Sequence, residues 1–161
     1  RHAALDPMLR ELGQTRAGWL VGSQFVYSQH CKSLRGLGAT EEQIAGVAVG
    51  AGASCWNEVE RLVLGYADCL ITGQGRVPDA IFDGLRAHLP DAQVLELTYI
   101  TCLYSQHAVM SKALRTEFDN VGERIVEVAA PDHFDQRDIV RDISVPDTAR
   151  ADETSDEGEE E

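Results

Sequence analysis

The amino-acid pattern predicts an all-α protein, a compact bundle of about six helices. Through the first three quarters of the chain, apolar residues recur at spacings of three and four, the period of a helix with one packed face. Over no useful length do they alternate with the two-residue period of a half-buried strand. Gly22, Gly36 with Gly38, the small residues at 50–54, Gly73 with Gly75 and Pro78 separate the periodic runs, where helices stop and start. A chain of 161 residues that is 43% hydrophobic supplies a single core, so one domain is expected, placed at residues 1–120, with an extension at 121–161.

Asp6 before Pro7 reads as an N-cap with proline at the first helical position, and Leu9, Leu12, Trp19 and Leu20 continue an apolar stripe to Gly22, which predicts a first helix over 7–21. Ser23 to Leu34 reads as a second helix, stopped by Gly36 and Gly38. Thr40 with Gln43 three residues on forms a capping box for a short third helix carrying Ile44 and Val47. Small residues over 50–54 break the pattern, after which Val59, Leu62, Val63, Tyr66 and Leu70 mark a fourth helix ending at Gly73 to Gly75. Pro78 opens a fifth helix through Leu89, and Asp91 caps a sixth running through Val94, Leu97, Ile100, Leu103, Val109 and Leu114.

Several segments resemble one known family in order and spacing. Leu9-Arg10-Glu11-Leu12 is followed after ten residues by Ser23-Gln24-Phe25-Val26-Tyr27-Ser28-Gln29-His30. Gly36 to Ile44, Glu60 to Leu64 and Ala87 to Leu97 follow in turn. Together these resemble the carboxymuconolactone decarboxylase and alkylhydroperoxidase D (AhpD) superfamily over residues 5 to 120. In its redox branch a Glu lies twelve residues before the first Cys of a CxxC pair and a His four residues after the second. Glu11, Ser23, Val26 and His30 match that spacing, with both cysteines replaced. The resemblance implies a small-molecule substrate, no cofactor, and a homo-oligomer, typically a trimer or hexamer. Members commonly carry one or two helices before the segment that opens this sequence, so a missing pocket wall would come from a neighbouring subunit.

The replaced cysteines redirect the expected chemistry. A serine hydroxyl ionises far too high to stand in for a low-pKa thiolate, and valine has no reactive atom, so peroxidase activity attaches to this sequence by family label only. What remains suits proton transfer: imidazole titrates near neutrality and a neighbouring carboxylate can orient it. His30 is therefore the expected acid or base and Glu11 its orienter. Ser23, Tyr27 and His30 stand at i, i+4 and i+7 of the second helix, which places Tyr27 and Ser23 as candidate substrate-binding hydroxyls on one face. The tetrapeptide Tyr-Ser-Gln-His recurs at 104–107, which adds Tyr104 and His107 as candidate lining residues from the sixth helix. The resemblance thus implies a decarboxylase, lyase or isomerase working by cofactor-free acid–base chemistry on a small carboxylated or carbonyl compound. The competing expectation is a non-catalytic oligomeric binding or assembly module, in which Val26 marks lost chemistry.

Composition narrows the rest. Twenty-seven acidic residues against 14 basic ones give a net charge of −13, which repels nucleic acid. Residues 131–161 hold twelve Asp or Glu and three Arg, hence −9, and read as a solubilising disordered tail whose most apolar stretch is Ile139 to Val145. No run of apolar residues is long enough to span a membrane, and the first six residues lack the core of a signal peptide, so a cytoplasmic protein is expected. Cys31, Cys55, Cys69 and Cys102 show no metal-binding spacing and no CxxC, and no HExxH-type signature is present, so no metal is expected.

Overall fold

The computed structural model describes residues 5–115, all within the first of two units into which the chain divides, 1–130 and 131–161. The acidic extension and its Ile139 to Val145 stretch lie outside the described residues. Six helices follow in order: α1 (Pro7–Val21), α2 (Gln24–Gly36), α3 (Glu41–Val49), α4 (Glu58–Ile71), α5 (Asp79–His88) and α6 (Asp91–Ala113). No strand occurs among the described residues.

α1 is the central helix. It packs against α2, α3, α4 and α6, while α5 leans on α4 and α6. Every residue from Glu11 to Gly18 is buried. Two glycines let neighbours come this close: a Cβ on Gly13 would sit 2.6 Å from Thr101 Oγ1 on α6, and one on Gly18 2.9 Å from both the Tyr27 amide nitrogen and Val26 Cγ1 on α2. The apolar core gathers around α1 from all sides, with Leu12, Leu34, Val47, Val63, Leu64, Leu85 and Leu97 fully enclosed.

Enclosing a helix whose sequence reads Glu-Leu-Gly-Gln-Thr-Arg requires partners for its polar groups, because a buried unpaired group costs about 1–3 kcal/mol. Arg16 finds them on two other helices: Nε and Nη2 donate to the Asp68 carboxylate at 2.6 and 3.2 Å, and Nη1 donates to the carbonyls of Val47 and Ala48 at 2.8 and 2.9 Å. The guanidinium thereby joins α1 to the open C-terminal carbonyls of α3 and to α4. Gly50, at φ +84°, brings its backbone against the same guanidinium.

The helix ends follow the sequence closely. Asp6 accepts from the amides of Met8 and Leu9, and Thr40 and Gln43 form the reciprocal capping box. A second box, Asn57 with Glu60, opens α4 and escaped the reading of the sequence. Two boundaries shift: Ser23 is the N-cap of α2 and not its first residue, and α2 continues to Gly36. Asp91 is the first residue of α6 and does not cap it; its carboxylate accepts from Arg86 Nε at 2.9 Å instead, leaving Pro90 at the cap position. No helix among the described residues is long and apolar enough to cross a membrane.

Candidate functional site

Glu11 and His30 meet where α1 and α2 run side by side. His30 Nδ1 lies 2.6 Å from Glu11 Oε2, and both side chains are about nine-tenths buried. A carboxylate only accepts, so Nδ1 carries the proton and, in the neutral ring, Nε2 keeps its lone pair. The other Glu11 oxygen lies 3.8 Å from the guanidinium of Arg10. The Glu11 backbone is held in turn by Thr15, whose hydroxyl donates to its carbonyl at 2.6 Å.

His30 opens on a cavity of about 460 Å³ between α2 and α6. Phe25, Val26 and Gln29 form the α2 wall, and Tyr104, His107, Met110, Ser111 and Leu114 form the opposite wall and rim. The Tyr104 ring stands edge-on to His30 at 4.3 Å between centroids and to His107 at 5.0 Å, so one phenol separates the two imidazoles. Among the described residues no Lys or Arg lines this cavity. Among the described residues no three His, Cys, Asp or Glu side chains gather as a metal site would require.

Of the residues singled out in the sequence, His30, Tyr104 and His107 line the cavity, and Glu11 backs His30. Ser23 and Tyr27 lie off it. Ser23 is buried, its hydroxyl accepting from the Val26 amide at 3.2 Å and paired with Ser111 Oγ at 2.8 Å, while Ser111 donates to the Ala108 carbonyl at 3.0 Å. This relay ties the start of α2 to α6 and commits both hydroxyls to the protein. Tyr27 packs into the core against Trp19, 5.2 Å between ring centroids. Burial foremost, with Cys31 beside it, pushes the Tyr27 hydroxyl well above its usual range. Helical periodicity put Tyr27 and His30 on a common arc, but the α1 contact divides that arc: Gly18 draws Tyr27 inward and His30 remains at the cavity edge. Phe25, Gln29, Met110, Ser111 and Leu114 were not anticipated; the spacing of Val26 and His30 from Phe25 and Gln29 is the only signal that could have found two of them.

Cys31 follows His30 in sequence but turns into the core, fully buried. Burial, partly offset by Tyr27 and Arg35, pushes its thiol up to about 11, so it is a neutral thiol near pH 7 and no substitute for a peroxidatic cysteine.

Residues 1–68, which span α1, α2, α3 and most of α4, match the carboxymuconolactone decarboxylase family. Through that segment the chain resembles the carboxymuconolactone decarboxylase family. The fold agrees beyond the matched segment: the chain is similar to a crystal structure of a protein of unknown function from Agrobacterium tumefaciens, described as a candidate antioxidant defence protein AhpD, with a TM-score of 0.67 and 26% identity over 73% of this chain and 81% of that one. No curated protein matches the sequence. Within the family frame, this chain keeps the Glu and His of the redox spacing and replaces both cysteines, one by a helix cap and the other by a cavity wall.

Proposed function

We propose that this carboxymuconolactone decarboxylase-like protein is a cofactor-free acid–base enzyme acting on a small, largely apolar carbonyl or carboxylate compound. The observation that carries this reading is the 2.6 Å contact between His30 and Glu11 at the edge of an open cavity. Glu11 holds Nδ1–H, which fixes the tautomer and leaves Nε2 as the base. Removing a proton from carbon beside a carbonyl puts the electron pair on the carbonyl oxygen, and the imidazolium then returns the proton to a different carbon. In the decarboxylating variant, loss of CO₂ leaves the same kind of enolate, and His30 supplies the proton that quenches it. The Tyr104 hydroxyl is the candidate donor to the enolate oxygen.

The lining also bears on substrate. Phe25, Val26, Met110 and Leu114 favour an apolar body. Among the described lining residues there is no guanidinium or ammonium, and His107 is a further group able to meet a carboxylate, which suits a compound with a single acidic group.

The test is incubation in D₂O with a panel of small unsaturated and keto monoacids, read by mass spectrometry for deuterium at carbon and for released CO₂. Turnover by the wild type, lost on His30→Asn and lowered roughly 10²–10⁴-fold by Glu11→Gln, is the expected result. Compounds that perturb the His30 ring resonances yet neither exchange nor lose CO₂ would instead support a binding module.

A further inference from the structure

The two imidazoles of the cavity differ in depth and in what holds them. His30 is about nine-tenths buried and Glu11 occupies its Nδ1, which leaves Nε2 as the position that trades protons. His107 lines the same cavity from α6 but is exposed. Among the described residues no hydrogen bond or ion pair engages the His107 ring; its neighbour is the Tyr104 ring at 5.0 Å, which meets His30 at 4.3 Å in turn. No other described lining residue takes up or releases a proton near neutral pH. Exposure and freedom to turn would handicap a base that must be aimed at one carbon. They suit a group that collects protons from solvent. Such a group is needed, because a substrate seated beside His30 displaces the water that would otherwise reach Nε2, and decarboxylation consumes one proton in every turnover.

We propose that His107 is a proton shuttle, carrying protons between bulk water and His30 by way of the Tyr104 hydroxyl. The inference rests on the acid–base reading and adds the step that resets it. A phenol hydroxyl both donates and accepts, so it can take a proton on one side while releasing its own on the other. A buffer acid protonates His107, an imidazole being suited to proton exchange near neutrality. His107 passes a proton to Tyr104 Oη as Tyr104 passes its own to His30 Nε2. His30 then delivers that proton to the carbon left by CO₂, where the enolate's electron pair forms the new C–H bond. All three side chains end as they began, and the one proton consumed from solvent balances the carboxylate lost as CO₂. Where the substrate isomerises instead, the same route exchanges the proton held on His30 with solvent before it returns to carbon.

The experiment uses the full chain, a monoacid from the panel that the wild type turns over, and dilute buffer free of imidazole. His107→Gln keeps a polar side chain at an exposed helical position, so its helical circular dichroism should match the wild type. Its KM should hold while kcat falls roughly 10²-fold, the lower end of what one acid–base group contributes. Added imidazole should restore kcat along a saturating curve, which a merely structural role for His107 does not produce. For a compound that isomerises, product formed by the variant in D₂O should keep more of the substrate's own hydrogen than product formed by the wild type. An unchanged kcat in dilute buffer would overturn the shuttle and leave the acid–base reading standing. So would a raised KM that imidazole does not correct, which leaves His107 only a carboxylate to hold. A wild type that turns over no member of the panel overturns the acid–base reading, and the shuttle falls with it.

Discussion

Truncating Glu11 or His30 singly to alanine removes one partner of a 2.6 Å contact and leaves the other enclosed. Breaking a fully buried ion pair in this way costs about 3–5 kcal/mol, and a hydrogen bond to a charged group about 1.5–3 kcal/mol. Because roughly a tenth of each side chain still reaches the cavity, the lower range applies. Each single variant should therefore lose about 2 kcal/mol, which for a domain of this size lowers the melting temperature by roughly 10 °C. Replacing both with apolar residues of similar volume, Glu11→Met with His30→Phe, should cost far less than the two losses added, since no charge is then stranded. Urea denaturation followed by circular dichroism of the wild type, Glu11→Ala, His30→Ala and the double alanine variant gives the four corners of the cycle, with an expected coupling of about 2 kcal/mol. Additive losses, with coupling below about 0.5 kcal/mol, would refute the pairing. An apolar double variant less stable than either single one would show that the pair is kept for packing and not for chemistry.

Other outcomes follow from the same structure. Gly18→Ala should destabilise by about 1–3 kcal/mol and disturb the His30 resonances, because its Cβ would meet the α2 backbone at 2.9 Å and wedge α2 away from Glu11; a thermal melt and an imidazole NMR spectrum check both effects. Arg16→Met should cost about 3 kcal/mol by stranding Asp68 and two α3 carbonyls, and Arg16→Lys should not rescue it, since an ammonium cannot reach all four acceptors. The Cys31 thiol, raised from 9.0 to about 11 by burial, makes the folded state hold its proton more tightly than the unfolded state. That stability is full below pH 9 and falls as pH climbs toward 11, by about 2–3 kcal/mol; urea midpoints against pH should show the fall, flattened in Cys31→Ser. The wild type should show no thiol-dependent hydroperoxide consumption, whereas Ser23→Cys with Val26→Cys should form an internal disulfide, read by thiol titration and mass.

Much of the bundle was legible because local signals agree with the tertiary outcome. Asp6-Pro7, the Thr40 box and the glycines at 36–38 and 73–75 are backbone instructions that hold wherever the helix packs. The role of α1 was not legible. A helix reading Glu-Leu-Gly-Gln-Thr-Arg looks half-solvated, and only the placement of His30, Asp68 and the α3 carbonyls shows that Glu11 and Arg16 have distant partners. Ser23 and Tyr27 illustrate a related limit. Periodicity ranks residues around one helix axis but cannot say where a neighbouring helix will cut across the arc, and here the glycine on α1 decides it.

The two replaced positions explain each other. In a redox relative the pair must bring two sulfurs together at the start of the second helix. Here the hydroxyl of Ser23 faces the amide of Val26 and the hydroxyl of Ser111, so the first position has become a joint between α2 and α6. Val26 has become cavity wall, presenting a methyl surface beside His30 where a sulfur would otherwise stand. Neither change disturbs Glu11 and His30, because their contact depends on α1 and α2 meeting at Gly18 and not on the chemistry of residues 23 and 26. The two positions that carry sulfur in the redox spacing thus hold a helix cap and a cavity wall, while the His30–Glu11 contact stands.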